Sequence, residues 1–129
     1  MRLPPLLNEH PRWLQILLAV VLPIAYGALT GYVLGVSEAT YVVLSVLGVL
    51  GGIGAGFDHL GTREGALRGV VAGIIFGSSI LIAHEIHGAT AKAHLPDPAI
   101  LLVVATTALG GLFGALGGAL RERAMRRPA

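Results

Sequence analysis

Residues 13–34 read WLQILLAVVLPIAYGALTGYVL, an apolar run without a charged side chain. A helix needs roughly 20 residues to cross a hydrocarbon core of about 30 Å, and this run is long enough. It is also longer than the apolar region of a signal peptide, which has about 7–15 residues, and no small-residue cleavage motif follows it. The stretch therefore predicts a retained membrane-spanning helix.

Three similar stretches follow it along the chain. The four predicted spans lie at about 13–34, 39–60, 63–87 and 99–120. The uncharged part of the third, residues 69–83, is too short by itself, so we place Arg68 and Glu85 near the ends of that span. Asp97-Pro98 before the fourth span is typical of a helix start.

These spans predict an all-α fold, a polytopic transmembrane bundle of four helices over residues 13–120. A short cytoplasmic segment, residues 1–12, precedes it, and a basic tail, residues 121–129, follows. The second and fourth spans share a similar segment, Leu50-Gly51-Gly52-Ile53 and Leu109-Gly110-Gly111-Leu112. This similarity indicates either an internal repeat of two parallel helical hairpins or a chance match in a sequence of low complexity.

Composition supports a lipid environment. Hydrophobic residues make up 54% of the 129 residues and charged residues only 12%, against roughly a quarter in soluble domains. The absence of cysteine excludes disulfides and thiolate metal sites. The pI near 9.5 does not indicate a nucleic-acid partner, because the basic residues lie at the ends of the predicted helices.

Charge distribution predicts a single orientation. Of the nine basic residues, eight fall on one side of the predicted bundle and Lys92 on the other. The eight are Arg2, Arg12, Arg63, Arg68, Arg121, Arg123, Arg126 and Arg127. By the positive-inside rule we expect a cell-membrane protein with both termini in the cytoplasm.

Glycines recur every four residues in each predicted helix. They are Gly27, Gly31 and Gly35; Gly48, Gly52 and Gly56; Gly65, Gly69, Gly73 and Gly77; and Gly110, Gly114 and Gly118. Residues four apart share a helix face, and glycine there lets two backbones approach closely. We expect glycine-ladder packing, either within the chain or between copies, and the number of such faces favours a homo-oligomer.

Hydroxyl side chains are the polar groups at membrane depth. Thr30, Ser45, Ser78, Ser79, Thr106 and Thr107 either hydrogen-bond between helices or line a narrow polar path. Pro23, in the middle of the first span, removes a backbone hydrogen bond and is expected to kink the helix. A carbonyl freed in this way is one means of building a site within a membrane.

Two charged clusters flank the third span. At one end, His84 and His87 share a helix face, and with His94 they form a possible site for a divalent transition metal. The alternative is that these polar residues end the helix and are favoured by its dipole. At the other end, we expect the acids and arginines of the cluster Asp58 to Arg68 to pair at the membrane interface, with Arg68 extended towards water.

The leading functional hypothesis is an oligomeric pore or facilitator for a small ion or solute. The alternatives are a non-catalytic accessory or scaffold subunit of a larger membrane complex, and an extracytoplasmic metal or pH sensor. We do not expect an enzyme or a bound organic cofactor, because the chain carries no nucleophile–base pair, cofactor motif or phosphate loop.

Overall fold

The computed structural model describes residues 3–126, and that part of the chain is helical without strands. A short 3-10 turn, Leu7–Glu9, precedes the long helices. The helices are α1 (Arg12–Leu34), α2 (Glu38–Phe57), α3 (Thr62–His87) and α4 (Ile100–Arg126). All four are long and apolar enough to cross a membrane, which confirms the predicted all-α class with four candidate spans.

Helix ends differ from the sequence prediction in α2 and α4. Helix α2 ends at Phe57 rather than near residue 60. Helix α4 begins at Ile100 rather than at Pro98, so Asp97 does not occupy its N-cap position. The same helix runs on to Arg126 through residues predicted as tail, while Arg2 and Arg127 lie outside the described residues. Thr62 is the first residue of α3 and the N-cap is Gly61, whose φ of 94° favours glycine.

Helices α3 and α4 pair along most of their length and form the centre of the bundle. Helix α1 packs mainly on α3, and α2 packs mainly on α4. Contact between α1 and α2 is sparse, although they follow one another in the chain. The bundle therefore opens between these two helices.

The backbones of α3 and α4 approach too closely for side chains at their contact. A Cβ on Gly69 would overlap the carbonyl oxygen of Gly110, and a Cβ on Gly110 would overlap that of Gly69. A Cβ on Gly73 would lie 2.7 Å from the Cα of Thr107. The glycines at this contact are Gly65, Gly69, Gly73, Gly77, Gly110, Gly114 and Gly118.

Glycines of the outer helices also face neighbours in the same chain. Those of α1, Gly27, Gly31 and Gly35, lie against α3 and the residues just after it. Those of α2, Gly48, Gly52 and Gly56, lie against side chains of α1 and α3 or against α4. By contrast, a Cβ on Gly51 or Gly54 would have no neighbour within 4 Å.

Each end of the bundle is joined by backbone hydrogen bonds. At the end that we name the basic end, formed by residues 3–12, the turn 58–61 and the C-terminus of α4, Leu7 N–H donates to the Asp58 carbonyl at 3.0 Å. At the opposite end, which we name the histidine end, Lys92 N–H donates to the Leu34 carbonyl at 2.7 Å. That bond holds the α3–α4 loop against the C-terminal end of α1.

Candidate functional site

A cleft of about 350 Å³ lies between α1 and α2, with α3 and α4 as its floor. Its lining is mostly aliphatic, aromatic and glycine. The lining residues are Leu18, Leu22, Pro23 and Tyr26 of α1; Leu47, Gly48, Val49, Gly51, Gly52 and Ala55 of α2; Arg68, Ala72, Gly73 and Phe76 of α3; and Thr106 and Gly110 of α4. Arg68 is the charged member of this set.

A local change in the winding of α1 exposes a carbonyl to the cleft. Residues Leu17–Val21 form a π-turn, in which Leu22 N–H donates to the Leu17 carbonyl five residues back. The next carbonyl, that of Leu18, would need the N–H of Pro23 in the same pattern, and proline has none. The Leu18 carbonyl is therefore left without a helical donor, in a type of turn that occurs frequently at functional sites.

Arg68 donates to this freed carbonyl. Its Nη2 lies 3.3 Å from the Leu18 carbonyl oxygen, so the guanidinium reaches across from α3 to α1. Its Nε and Nη1 are buried and have no hydrogen-bond partner in the described part of the chain. Arg68 lies about 9 Å along α3 from its first residue. The expectation that Arg68 extends towards water is therefore corrected, because its side chain turns into the cleft wall.

Two aromatic rings bound the cleft at mid-helix depth. Tyr26 and Phe76 stack with ring centroids 5.6 Å apart. The Tyr26 hydroxyl donates to the Leu44 carbonyl of α2 at 2.7 Å, which ties α1 to α2 at this level. Gly48 leaves room for both rings, since a Cβ there would lie 2.7 Å from Phe76 and 3.0 Å from Tyr26. The opening between α1 and α2 therefore lies on the basic-end side of this aromatic pair.

Asp58, in the turn after α2, is an acidic group whose carboxyl is affected by the positive charge of Arg68. Burial raises the pKa of the Asp58 carboxyl, and the positive charges of Arg68, His59, His10 and Arg121 oppose that rise. Asp58 and Arg68 form no ion pair within 4 Å; over residues 3–126 such a pair joins Glu122 to Arg126. The expected interfacial pairing of Asp58 to Arg68 is thus absent from the structure.

Arg121 is a second buried cation at the basic end. It is only 5% exposed, its guanidinium lies 5.3 Å over the Phe57 ring, and its Nη1 donates to the Phe57 carbonyl at 3.4 Å. A cation that satisfies the last carbonyls of a helix stabilises its C-terminus. Arg121 was predicted only as part of the basic tail, and nothing in the local sequence pattern indicates this contact.

The six predicted path hydroxyls are distributed over all four helices. Thr106 lines the cleft and donates to the Gly73 carbonyl at 2.8 Å. Thr30 and Thr107 donate to carbonyls four residues earlier in their own helices. Ser45 Oγ is buried without a partner in the described residues, and Ser79 lies against Gly27. Ser78 is half-buried on α3, so the structure brings Thr106 alone of the six to the cleft.

The predicted metal-site histidines lie at the histidine end. The His87 ring packs on Tyr32 with centroids 4.3 Å apart, and His94 is exposed in the α3–α4 loop. The Nδ1 atoms of His84 and His87 are buried without partners. Within residues 3–126, no group of three or more histidine, aspartate or glutamate side chains is arranged to hold a metal ion. A site formed by all three histidines is therefore not assembled.

Sequence reasoning missed the Leu18–Arg68 contact. Its two signals were a proline in the middle of α1 and an arginine inside the predicted third span. No family model, curated protein or solved structure matches the chain. We therefore infer function from the residues of the cleft.

Proposed function

We propose that the protein is a cell-membrane facilitator for a small anionic solute, with the cleft as its solute site and Arg68 as the anion-binding group. The observation that carries the proposal is a guanidinium with unpartnered donors in an otherwise apolar cleft. An ionisable side chain within a membrane span is costly and is retained mainly where it serves a function.

The chemistry of Arg68 favours an anion over a cation or a neutral solute. Guanidinium cannot deprotonate in proteins, so it offers donors and a positive charge at every physiological pH. The Leu18 carbonyl takes one of its five N–H groups, and hydrogen bonds from the others to an anionic oxygen are about twice as strong as neutral ones. An anion that reached the buried Nε and Nη1 would satisfy both donors.

The wider assembly follows from the same arrangement. We propose that both termini are cytoplasmic, which puts Arg68 and the basic end on the cytoplasmic side. The glycine ladders serve packing within the chain, and the exposed Gly54 of α2, which does not line the cleft, marks the surface on which we place a homo-oligomer contact. The oligomeric state can be tested by measuring the mass of the purified protein in a mild detergent.

Flux into liposomes tests the facilitator. We expect purified protein to admit chloride, nitrate or formate faster than empty vesicles do, because Arg68 lies only about 9 Å from the first residue of α3 at the basic end and offers each anion a positive charge. Arg68→Gln should lower that flux about tenfold or more, equivalent to about 1.4 kcal/mol. Arg63→Gln is the matched control, since Arg63 is exposed at the start of α3 and does not line the cleft.

Two results would contradict the facilitator: no flux above empty vesicles for any of these anions, or equal flux through Arg68→Gln and Arg63→Gln proteins. The second candidate is an accessory subunit, which the unoccupied surface at Gly54 favours. It predicts a membrane partner that co-purifies with the wild-type chain and is lost when Gly54 is replaced by leucine.

A further inference from the structure

We infer that the ligand of the cleft is a single-chain fatty-acid carboxylate that enters sideways from the bilayer between α1 and α2. The inference rests on the proposed function in taking Arg68 of the cleft as the anion-binding group, and it adds to the small anions a carboxylate that resides in the membrane. Three features of the cleft carry it: where it opens, what lies at its polar end, and how much space it encloses.

The opening of the cleft is apolar. Leu22 of α1 and Leu47 of α2 line the cleft, yet each is 55% exposed, which puts them at its edges. Gly51 also lines it, with open space around its Cα. With both helices spanning a bilayer, these edges face lipid chains rather than water. A solute that enters here is one that already resides in the membrane.

The polar end of the cleft matches one negative charge. Arg68 supplies the cation, and its Nε and Nη1 are buried without a hydrogen-bond partner in the described residues. Because it lies about 9 Å inside α3, its depth is that of a lipid head group or just below it. A carboxylate meets both conditions.

The apolar part of the cleft fits one aliphatic chain. It extends along α3 from Arg68 to Phe76, about 12 Å at the rise of an α-helix, so the far end of a longer chain such as palmitate would pass through the lateral opening into the bilayer. Ala72, Gly73 and Gly110 give it a smooth floor, and the Tyr26–Phe76 pair ends it. Its volume of about 350 Å³ is near the lower limit for ligand pockets, which suits one aliphatic chain within the cleft better than two.

Equilibrium binding of radiolabelled palmitate to the full chain in phosphatidylcholine nanodiscs tests the inference. We expect saturable binding that excess dodecanoate displaces and excess dodecanol, which has the chain without the charge, does not. Arg68→Gln should weaken binding about tenfold or more. Gly51→Leu should also weaken it, because its side chain enters open space at the cleft edge without disturbing a helix contact. Arg63→Gln should bind as the wild type does.

Equal palmitate binding by Arg68→Gln and wild type, with both shown to be folded by circular dichroism, would overturn the inference. Displacement of palmitate by dodecanol as strongly as by dodecanoate would also overturn it. So would displacement by inorganic phosphate or lysophosphatidic acid that is stronger than displacement by dodecanoate. Palmitate binding without anion flux would remove the facilitator and leave the fatty-acid site. Anion flux without palmitate binding would do the reverse.

Discussion

Pro23 determines where the polar atoms of the cleft lie, although its own ring is apolar. The missing N–H leaves the Leu18 carbonyl without a helical donor, and the π-turn before it directs that carbonyl towards α3. Arg68 then satisfies the carbonyl and is itself held in the cleft wall. One imino acid thus explains both the irregular winding of α1 and the position of a cation within an apolar site.

Asp58 makes stability depend on pH in a defined direction. Burial raises its pKa above the ordinary value of 3.8, so folding favours the protonated carboxyl. The stabilising contribution is full below that ordinary value and is lost as pH rises through the raised pKa of the folded state. We expect Asp58→Asn to gain stability relative to wild type as pH rises from about 3.8.

Thermal unfolding in detergent across that range measures the difference. Because the two proteins differ only at position 58, the contributions of the other charged groups that act on Asp58, namely His10, His59, Arg68 and Arg121, largely cancel in this difference. A difference that stays constant with pH, or that shrinks as pH rises, would contradict the effect of burial.

The position of Arg68 along the chain could be predicted from the sequence, but its contact with the Leu18 carbonyl could not. Its place inside the third span was predictable from the length of the apolar run. The rule that long cationic side chains extend to water indicated the wrong direction for it, because that rule assumes no acceptor nearby. The acceptor is a backbone carbonyl 50 residues away in the sequence, and no local pattern identifies such a partner.

Helix contacts give the glycines different roles. At Gly69 the backbone of α4 occupies the position of a missing Cβ, whereas at Gly54 that position is open. The four-residue spacing predicted which face of each helix carries glycine. It did not indicate which helix would meet that face, or that Gly51 and Gly54 would meet none, because spacing is a property of one helix and contact is a property of two.

Gly69→Ala and Gly54→Ala make a matched pair of substitutions. Gly69→Ala should destabilise the protein by about 1–3 kcal/mol, because the added methyl overlaps the Gly110 carbonyl and the helices must separate. Gly54→Ala should be neutral or stabilise by up to about 1 kcal/mol, the helix propensity difference between the two residues. Denaturant titration in detergent, followed by circular dichroism, gives both values; equal effects would rule out the close α3–α4 contact as the cause.

At the scale of the whole molecule, the number and class of the helices were predictable and their arrangement was not. Apolar length and charge at the helix ends are sufficient to define four candidate spans. The pairing of α1 with α3 rather than with its neighbour α2 depends on how Gly27 and Gly31 fit against α3. Because α1 packs on α3, the space between α1 and α2 stays open as the cleft. The candidate site therefore depends on helix packing that the sequence pattern does not predict.

Orientation in the membrane is a property of the whole molecule, because it depends on the distribution of all the basic residues. Two of them, Arg68 and Arg121, turn inward in the folded bundle, but the positive-inside rule acts during insertion, before the helices pack. All eight residues on the basic side therefore count against Lys92, and we expect one orientation in cells. Because the chain has no cysteine, a single introduced thiol reports its own side of the membrane without background.

Thr90→Cys and Met125→Cys place that thiol at exposed positions of the histidine end and the basic end. A membrane-impermeant maleimide added to intact cells should label the thiol at position 90 fully and leave the one at position 125 unlabelled until the cells are opened. Labelling of both from outside would indicate dual insertion, and labelling of position 125 alone would reverse the orientation. Either result would move Arg68 to the other leaflet in some or all copies, and with it the leaflet from which a fatty acid reaches the cleft.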